Sequence, residues 1–118
     1  MLEKLSIGLD IVNVNRFREI PFLDNKKFYT RIFTDNEINY CLKFGDPFIH
    51  FAGKFALKES LIKCIKQKQN FLDIETSHIN NQPIITLKNC INQKYDFKAS
   101  ISHEYDFAIG IVLAEKIS

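Results

Sequence analysis

Two acidic residues stand where acid is unwelcome. Glu59 lies in "FAGKFALKES" and Asp10 in "SIGLDIVNV", both among large apolar side chains. At ~100° per residue, Phe48, Phe51, Ala52, Phe55 and Ile62 share one stripe of a helix, and Glu59 falls inside it. A desolvated carboxylate is costly unless it is paired, protonated or metal-bound. Lys63 is one turn beyond Glu59, so an i,i+4 pair at the edge of the core is one answer. Asp10 also has an ordinary answer, as a strand-end aspartate capping a turn. Taken together with Lys58 and Lys63, the two carboxylates suggest a hard-cation site shared with phosphate. Magnesium takes one or two carboxylates, keeps several waters, and accepts its other ligands from substrate phosphates. The lysines would then face phosphate oxygens.

The elements that must position these residues are legible in outline. "SIGLDIVNV" alternates as a strand, with Ile7, Leu9 and Ile11 on one face and Gly8, Asp10 and Val12 on the other. "NRFREI" reads as a helical turn stopped by Pro21, and a short helix is expected between Asp24 and Phe33. "TDNE" has the form of a capping box opening a helix through Lys43 that ends at Gly45. Asp46 as N-cap with Pro47 at the first helical position starts a long helix to about Lys66. "FLDIETSHI" and "QPIITLK" read as strands joined by the "NNQ" turn, and "FKASIS" and "FAIGIVLAE" as a hairpin around "HEYD". Helices in the first half and strands in the second indicate an α+β fold.

Composition narrows the function classes. The 118 residues predict one domain, 1–118, and 46% hydrophobic with 25% charged residues excludes disorder. A net charge of +2, without RNP, KH or C-x-x-C signatures, argues against nucleic-acid binding. Cys41, Cys64 and Cys90 are odd in number and show no metal spacing, which suits a reducing cytoplasm. The three histidines, His50, His78 and His103, form no H-E-x-x-H pattern. The N-terminal apolar run is interrupted by Asp10 and is too short for a membrane span, so no membrane association is expected.

"GLDIVNVNR", "RIFTDNE", "FAGKFALKES", "FLDIE", a proline-closed turn before a strand, and "SISH" before a final strand occur in that order. From Ile7 to Glu115 the chain resembles the holo-acyl-carrier-protein synthases, the small bacterial phosphopantetheinyl transferases. The resemblance implies the phosphopantetheinyl transferase fold, an antiparallel sheet with a long central helix. It implies Mg2+-dependent transfer of 4′-phosphopantetheine from coenzyme A to a serine of apo acyl carrier protein. Adenosine 3′,5′-bisphosphate is released, a step serving fatty-acid biosynthesis. The family's habit implies a homotrimer with sites at subunit interfaces.

Carried over residue by residue, Asp10 and Glu59 match the metal ligands. Lys58 and Lys63 match lysines near the phosphates, Lys63 serving the leaving oxygen, while Glu59 or a metal-bound water serves as base. Lys54 stands where arginine is usual, which forgoes a bidentate fork. Ser102 and His103 match a strand-end motif beside the coenzyme. His50 replaces an aromatic and reads as packing. Arg16 and Arg31 fall on motif positions in a basic N-terminal third. Arg16 is the docking residue for the acidic carrier. "KQKQN" is shorter and poorer in glycine than the family's loop, and "KFGDP" poorer in basic residues. That shortening motivates an alternative, a noncatalytic module that binds coenzyme A or carrier.

Overall fold

The structure is a computed structural model describing residues 2–65, 67–88 and 94–117; Lys66 and Cys90 lie outside the described residues. Strand β1 (Leu5–Asn13) leads into helix α1 (Asn15–Arg18), and short helix α2 (Lys26–Thr30) precedes α3 (Asp35–Leu42). The long helix α4 (Pro47–Ile65) is followed by β2 (Ile74–Ile79), β3 (Gln82–Leu87), β4 (Tyr95–Glu104) and β5 (Phe107–Lys116). An antiparallel sheet of order β1-β5-β4 and a separate β2-β3 hairpin flank α4. The expected α+β class with a long central helix is what forms.

Local signals placed the ends of the elements. Thr34 and Glu37 form both halves of the capping box that opens α3. The Asp46 carboxylate accepts from the Phe48 backbone N–H at 3.2 Å, fixing the start of α4. Asn80 and Asn81 take φ of 51° and 64°, the left-handed pair that a two-residue hairpin turn requires. Tyr105, at φ 52°, opens the equally tight turn between β4 and β5.

One expectation changes, and one point that the sequence left open is decided. The first is the single apolar stripe on α4. Every residue from Phe51 to Lys58 is buried, so the helix is enclosed on nearly all sides, and Glu59, Ile62 and Lys63 occupy its open edge. Phe17, Tyr29, Phe33, Phe51 and Phe55 form an aromatic cluster on one part of α4. Leu57, Leu61, Ile74, Ile85 and Val112 form an aliphatic cluster further along.

The second is the character of the β1 faces. The face that meets α4 carries Gly8, Asp10 and Val12, while Ile7, Leu9 and Ile11 are 65%, 57% and 59% exposed. In register across from them are Leu113, Ile111 and Ile109 of β5, giving the sheet an apolar outer face.

Close approach explains the small residues. A Cβ on Gly8 would lie 1.8 Å from the Ser60 carbonyl oxygen, and one on Gly110 would lie 2.8 Å from the Ala56 carbonyl carbon. Only glycine lets α4 rest on the backbone of both strands.

Candidate active site

At the open edge of α4, the sheet and the helix each present a carboxylate. Asp10 projects from the middle of β1, and Lys63 Nζ reaches its Oδ1 at 3.0 Å while also donating to the Leu9 carbonyl at 3.1 Å. Lys63 thus pairs across to the strand rather than with Glu59 on its own helix. The Glu59 carboxyl is pushed above its ordinary value, first by burial and then by the charge of Asp10, against the opposing pull of Lys63 and Arg16. Asp10 and Glu59, more than forty residues apart in the chain, therefore share one electrostatic neighbourhood with two cationic side chains. Arg16 is exposed at the start of α1 with its guanidinium over the Phe55 ring, 5.4 Å from the centroid.

No group of three or more His, Cys, Asp or Glu side chains gathers for a metal among the described residues. The donor set here is two carboxylates, all oxygen, with an open side. That suits Mg2+, which takes few protein ligands and completes its shell with water and substrate phosphate. A zinc-type closed site would need more ligands.

A second feature lies along the same helix. A cleft of about 380 Å³ is bounded by Tyr40, His50, Lys54, His78, Gln82 and His103 among others. All the histidines of the chain meet there, although their spacing in sequence shows no pattern. His103 Nε2 lies 3.2 Å from the Ile49 carbonyl oxygen. His50 stacks on Phe44 with centroids 3.7 Å apart, so its expected packing role holds while it also faces the cleft. His78 lies flat on Tyr40 at 4.8 Å, and its buried Nδ1 has no hydrogen-bond partner. Burial and neighbouring cationic groups push both His50 and His78 below their ordinary value. The alternation of β2, which turns Ile74, Thr76 and His78 to one side, is the signal that could have found His78.

Lys54 lines this cleft, but its side chain is committed inward. Its Nζ donates to the Thr76 carbonyl at 3.1 Å and to Thr76 Oγ1 at 3.0 Å, and lies 4.6 Å from the centre of the Tyr40 ring. Lys54 gives the wall its charge while spending its hydrogen bonds on β2.

The assignment of Lys58 to the phosphates is corrected. Lys58 is fully buried, and its Nζ meets Glu37 Oε1 at 2.7 Å, the Ile32 carbonyl at 2.7 Å and the Phe71 carbonyl at 2.9 Å. An ammonium has three donors, and all three are used. Glu37 is equally saturated: it accepts from Thr34 N at 2.8 Å, Thr76 N at 2.7 Å and Thr76 Oγ1 at 2.6 Å. After α4 the chain brings the Phe71 carbonyl onto the Lys58 ammonium. Ser102 takes a different position from His103. It is exposed on β4 and does not line the cleft, whose wall on that strand is Ser100, Ile101 and His103.

The chain matches known proteins over nearly its whole length. Residues 6–112 match the family described as the 4′-phosphopantetheinyl transferase superfamily. A holo-[acyl-carrier-protein] synthase of Borreliella afzelii is 40% identical, over 93% of this chain and 98% of that protein. One from Thermodesulfovibrio yellowstonii is 35% identical, over 91% and 95% of the two chains. The crystal structure of the Helicobacter pylori holo-[acyl-carrier-protein] synthase in complex with coenzyme A superposes with a TM-score of 0.81 at 35% identity, covering 92% of this chain and 99% of that one. The Bacillus anthracis synthase, solved in complex with CoA (3′,5′-ADP), gives a TM-score of 0.80 at 32% identity over 95% and 96%. The chain belongs to the 4′-phosphopantetheinyl transferase superfamily, within its holo-[acyl-carrier-protein] synthase family.

Proposed function

We propose that this protein, as a single transferase domain, transfers 4′-phosphopantetheine from coenzyme A to a serine of apo acyl carrier protein in a Mg2+-dependent reaction. The observation that carries this reading is the meeting of Asp10, Glu59 and Lys63 at the open edge of α4. Asp10 and Glu59 would hold the cation. When bound, it offsets charge on the coenzyme pyrophosphate.

The carrier serine oxygen forms a bond to the phosphorus that bears the pantetheine arm. The bond from that phosphorus to the bridging oxygen breaks, and adenosine 3′,5′-bisphosphate leaves with the electron pair. The serine proton passes to Glu59 or to a water beside it. Lys63, half exposed and able to swing from Asp10, supplies positive charge to the departing oxygen. The cleft of His50, Lys54, His78 and His103 would receive the coenzyme's nucleotide end. Arg16 sits at the rim, where an acidic carrier docks.

The exposed row of Ile7, Leu9 and Ile11, with Ile111 and Leu113 beside it, supports a homotrimer packed through the outer face of the sheet. Among the described residues no helix is long and apolar enough to cross a membrane, and the reading is of a cytoplasmic enzyme. Mass spectrometry of apo carrier incubated with coenzyme A and Mg2+ tests the proposal. The phosphopantetheine mass increment on the carrier serine supports it. Unmodified carrier under saturating coenzyme, with the coenzyme bound, leaves the noncatalytic binding module.

A further inference from the structure

The two carboxylates belong to different elements, so something must set the gap between them. Three residues bring those elements into direct contact. The carbonyl of Ser60, next to Glu59, occupies the space where a Gly8 side chain would begin, 1.8 Å from the Cβ position. Gly8 is two residues before Asp10 and on the same face of β1. The Ser60 hydroxyl, buried completely, donates within reach of the Ala56 carbonyl at 2.7 Å and the Gly110 carbonyl at 2.8 Å. Gly110 is the register partner of Asp10 on β5 and takes the Ala56–Leu57 backbone against its own. One side of the clamp therefore touches the neighbour of Glu59. The other side touches the strand positions that locate Asp10.

We infer that Gly8, Ser60 and Gly110 are positioning residues that hold α4 on β1 and β5 and thereby set which size of cation the Asp10–Glu59 pair accepts. This rests on the metal reading above. The physical basis is the difference between the two common hard cations. Mg2+ demands near-octahedral oxygens at about 2.0–2.1 Å, whereas Ca2+ accepts flexible geometry at about 2.3–2.6 Å. A methyl group at Gly8 or Gly110 falls under the 3.0 Å that real Cβ atoms respect, and the atoms it meets are backbone, so the helix itself must move out. Moving α4 outward carries Glu59 away from Asp10. The wider pair loses Mg2+ first and tolerates Ca2+.

The test uses the full chain saturated with coenzyme A, without carrier, so that nothing turns over. Mn2+ is the probe, its binding followed by electron paramagnetic resonance, and Mg2+ and Ca2+ are titrated as competitors. Gly110→Ala should reduce the preference for Mg2+ over Ca2+ by roughly 10-fold, the lower end of what changes beyond the ligands cost. Ser60→Ala, which adds no bulk and keeps the fold testable should the glycine variants not fold, should shift it in the same direction by less. Leu61→Ala, a core truncation off the clamp, should lower the melting temperature and leave the ratio unchanged. An unchanged ratio in Ser60→Ala and Gly110→Ala, or an equal shift in Leu61→Ala, overturns the clamp while the metal reading stands. Mn2+ binding that Asp10→Ala does not weaken overturns both together.

Discussion

Helix α4 carries two lysine–carboxylate arrangements, five residues apart, and they are opposites. Lys58 and Glu37 are both wholly buried, and every donor and acceptor between them is used, tying α3, α4 and β2 together. Lys63 and Asp10 sit at the helix edge, the lysine 53% exposed, with Glu59 beside them raised by burial and by Asp10. The first arrangement is finished; nothing can enter without breaking it. The second has charge to spare and an open side, which is what a site for a cation and a phosphate needs. Burial of a charge alone does not mark function; incomplete satisfaction of it does.

The sharpest way to break this contrast is to remove one member of the buried pair. Glu37→Ala or Lys58→Met should each destabilise the protein by about 3–5 kcal/mol, because each strands a charge in the interior. Glu37→Ala also removes half of the α3 capping box. The double substitution Glu37→Met with Lys58→Met should recover part of that loss. Urea denaturation checks both, and activity per folded molecule should be little changed. A large loss of turnover in a folded Lys58→Met protein would return Lys58 to the phosphates.

The open arrangement should show the converse. Asp10→Ala and Glu59→Ala should lower turnover by about 10²–10³-fold, the loss typical of removing one preorganised oxyanion-hole contact. Their urea midpoints should stay near that of the unsubstituted protein, and Glu59→Ala should gain slightly because a desolvated charge is deleted. Steady-state rates against Mg2+ concentration, together with denaturation curves, measure both sides.

The two arrangements were not equally legible. Asp10 and Glu59 stood out in the sequence because each interrupts an apolar run, and a local anomaly can be read locally. Glu37 did not, since its capping-box position already explained it; that it also meets Lys58 and Thr76 is set by three elements packing together. The strands, the α3 cap, the Asp46 cap and both hairpin turns were readable for the same reason: their causes lie within a few residues. Alternation in β1 gave two faces but not which would be covered. The deciding fact is the backbone approach of Ser60 to Gly8, which belongs to the tertiary structure. The cleft gathers histidines from α4, β2 and β4, and only the fold could bring them together.

The cleft supplies a smaller effect, in pH. His50 and His78 are held below their ordinary value of 6.5 in the folded state, by burial first and then by His103 and Lys54 for one, Lys54 and His50 for the other. Asp46 pulls His50 the opposite way. Between folded and ordinary values the unfolded chain binds more protons. Stability from these residues is therefore complete above 6.5 and lost as pH falls through their folded values. Both are partly exposed, so the loss should be modest. His78→Gln should flatten the acid limb of a plot of urea midpoint against pH.

The smallest effect expected is at Arg16, and it distinguishes the rim of the open arrangement from its centre. The guanidinium is exposed, lies over the Phe55 ring at 5.4 Å, and acts on Glu59 through its charge. A cation placed there would meet an acidic partner before the serine arrives. Rim charges act chiefly on association rate, and salt screens them over about 8 Å at physiological ionic strength. Arg16→Ala should raise the KM for carrier by a few-fold, on the order of 1 kcal/mol or less. It should also flatten the salt dependence of kcat/KM for carrier, with the KM for coenzyme A almost unchanged. Rates measured across a salt series, varying carrier and coenzyme independently, separate the roles. A loss confined to coenzyme A would move Arg16 inward, into the centre beside Glu59, and shift carrier docking to other residues.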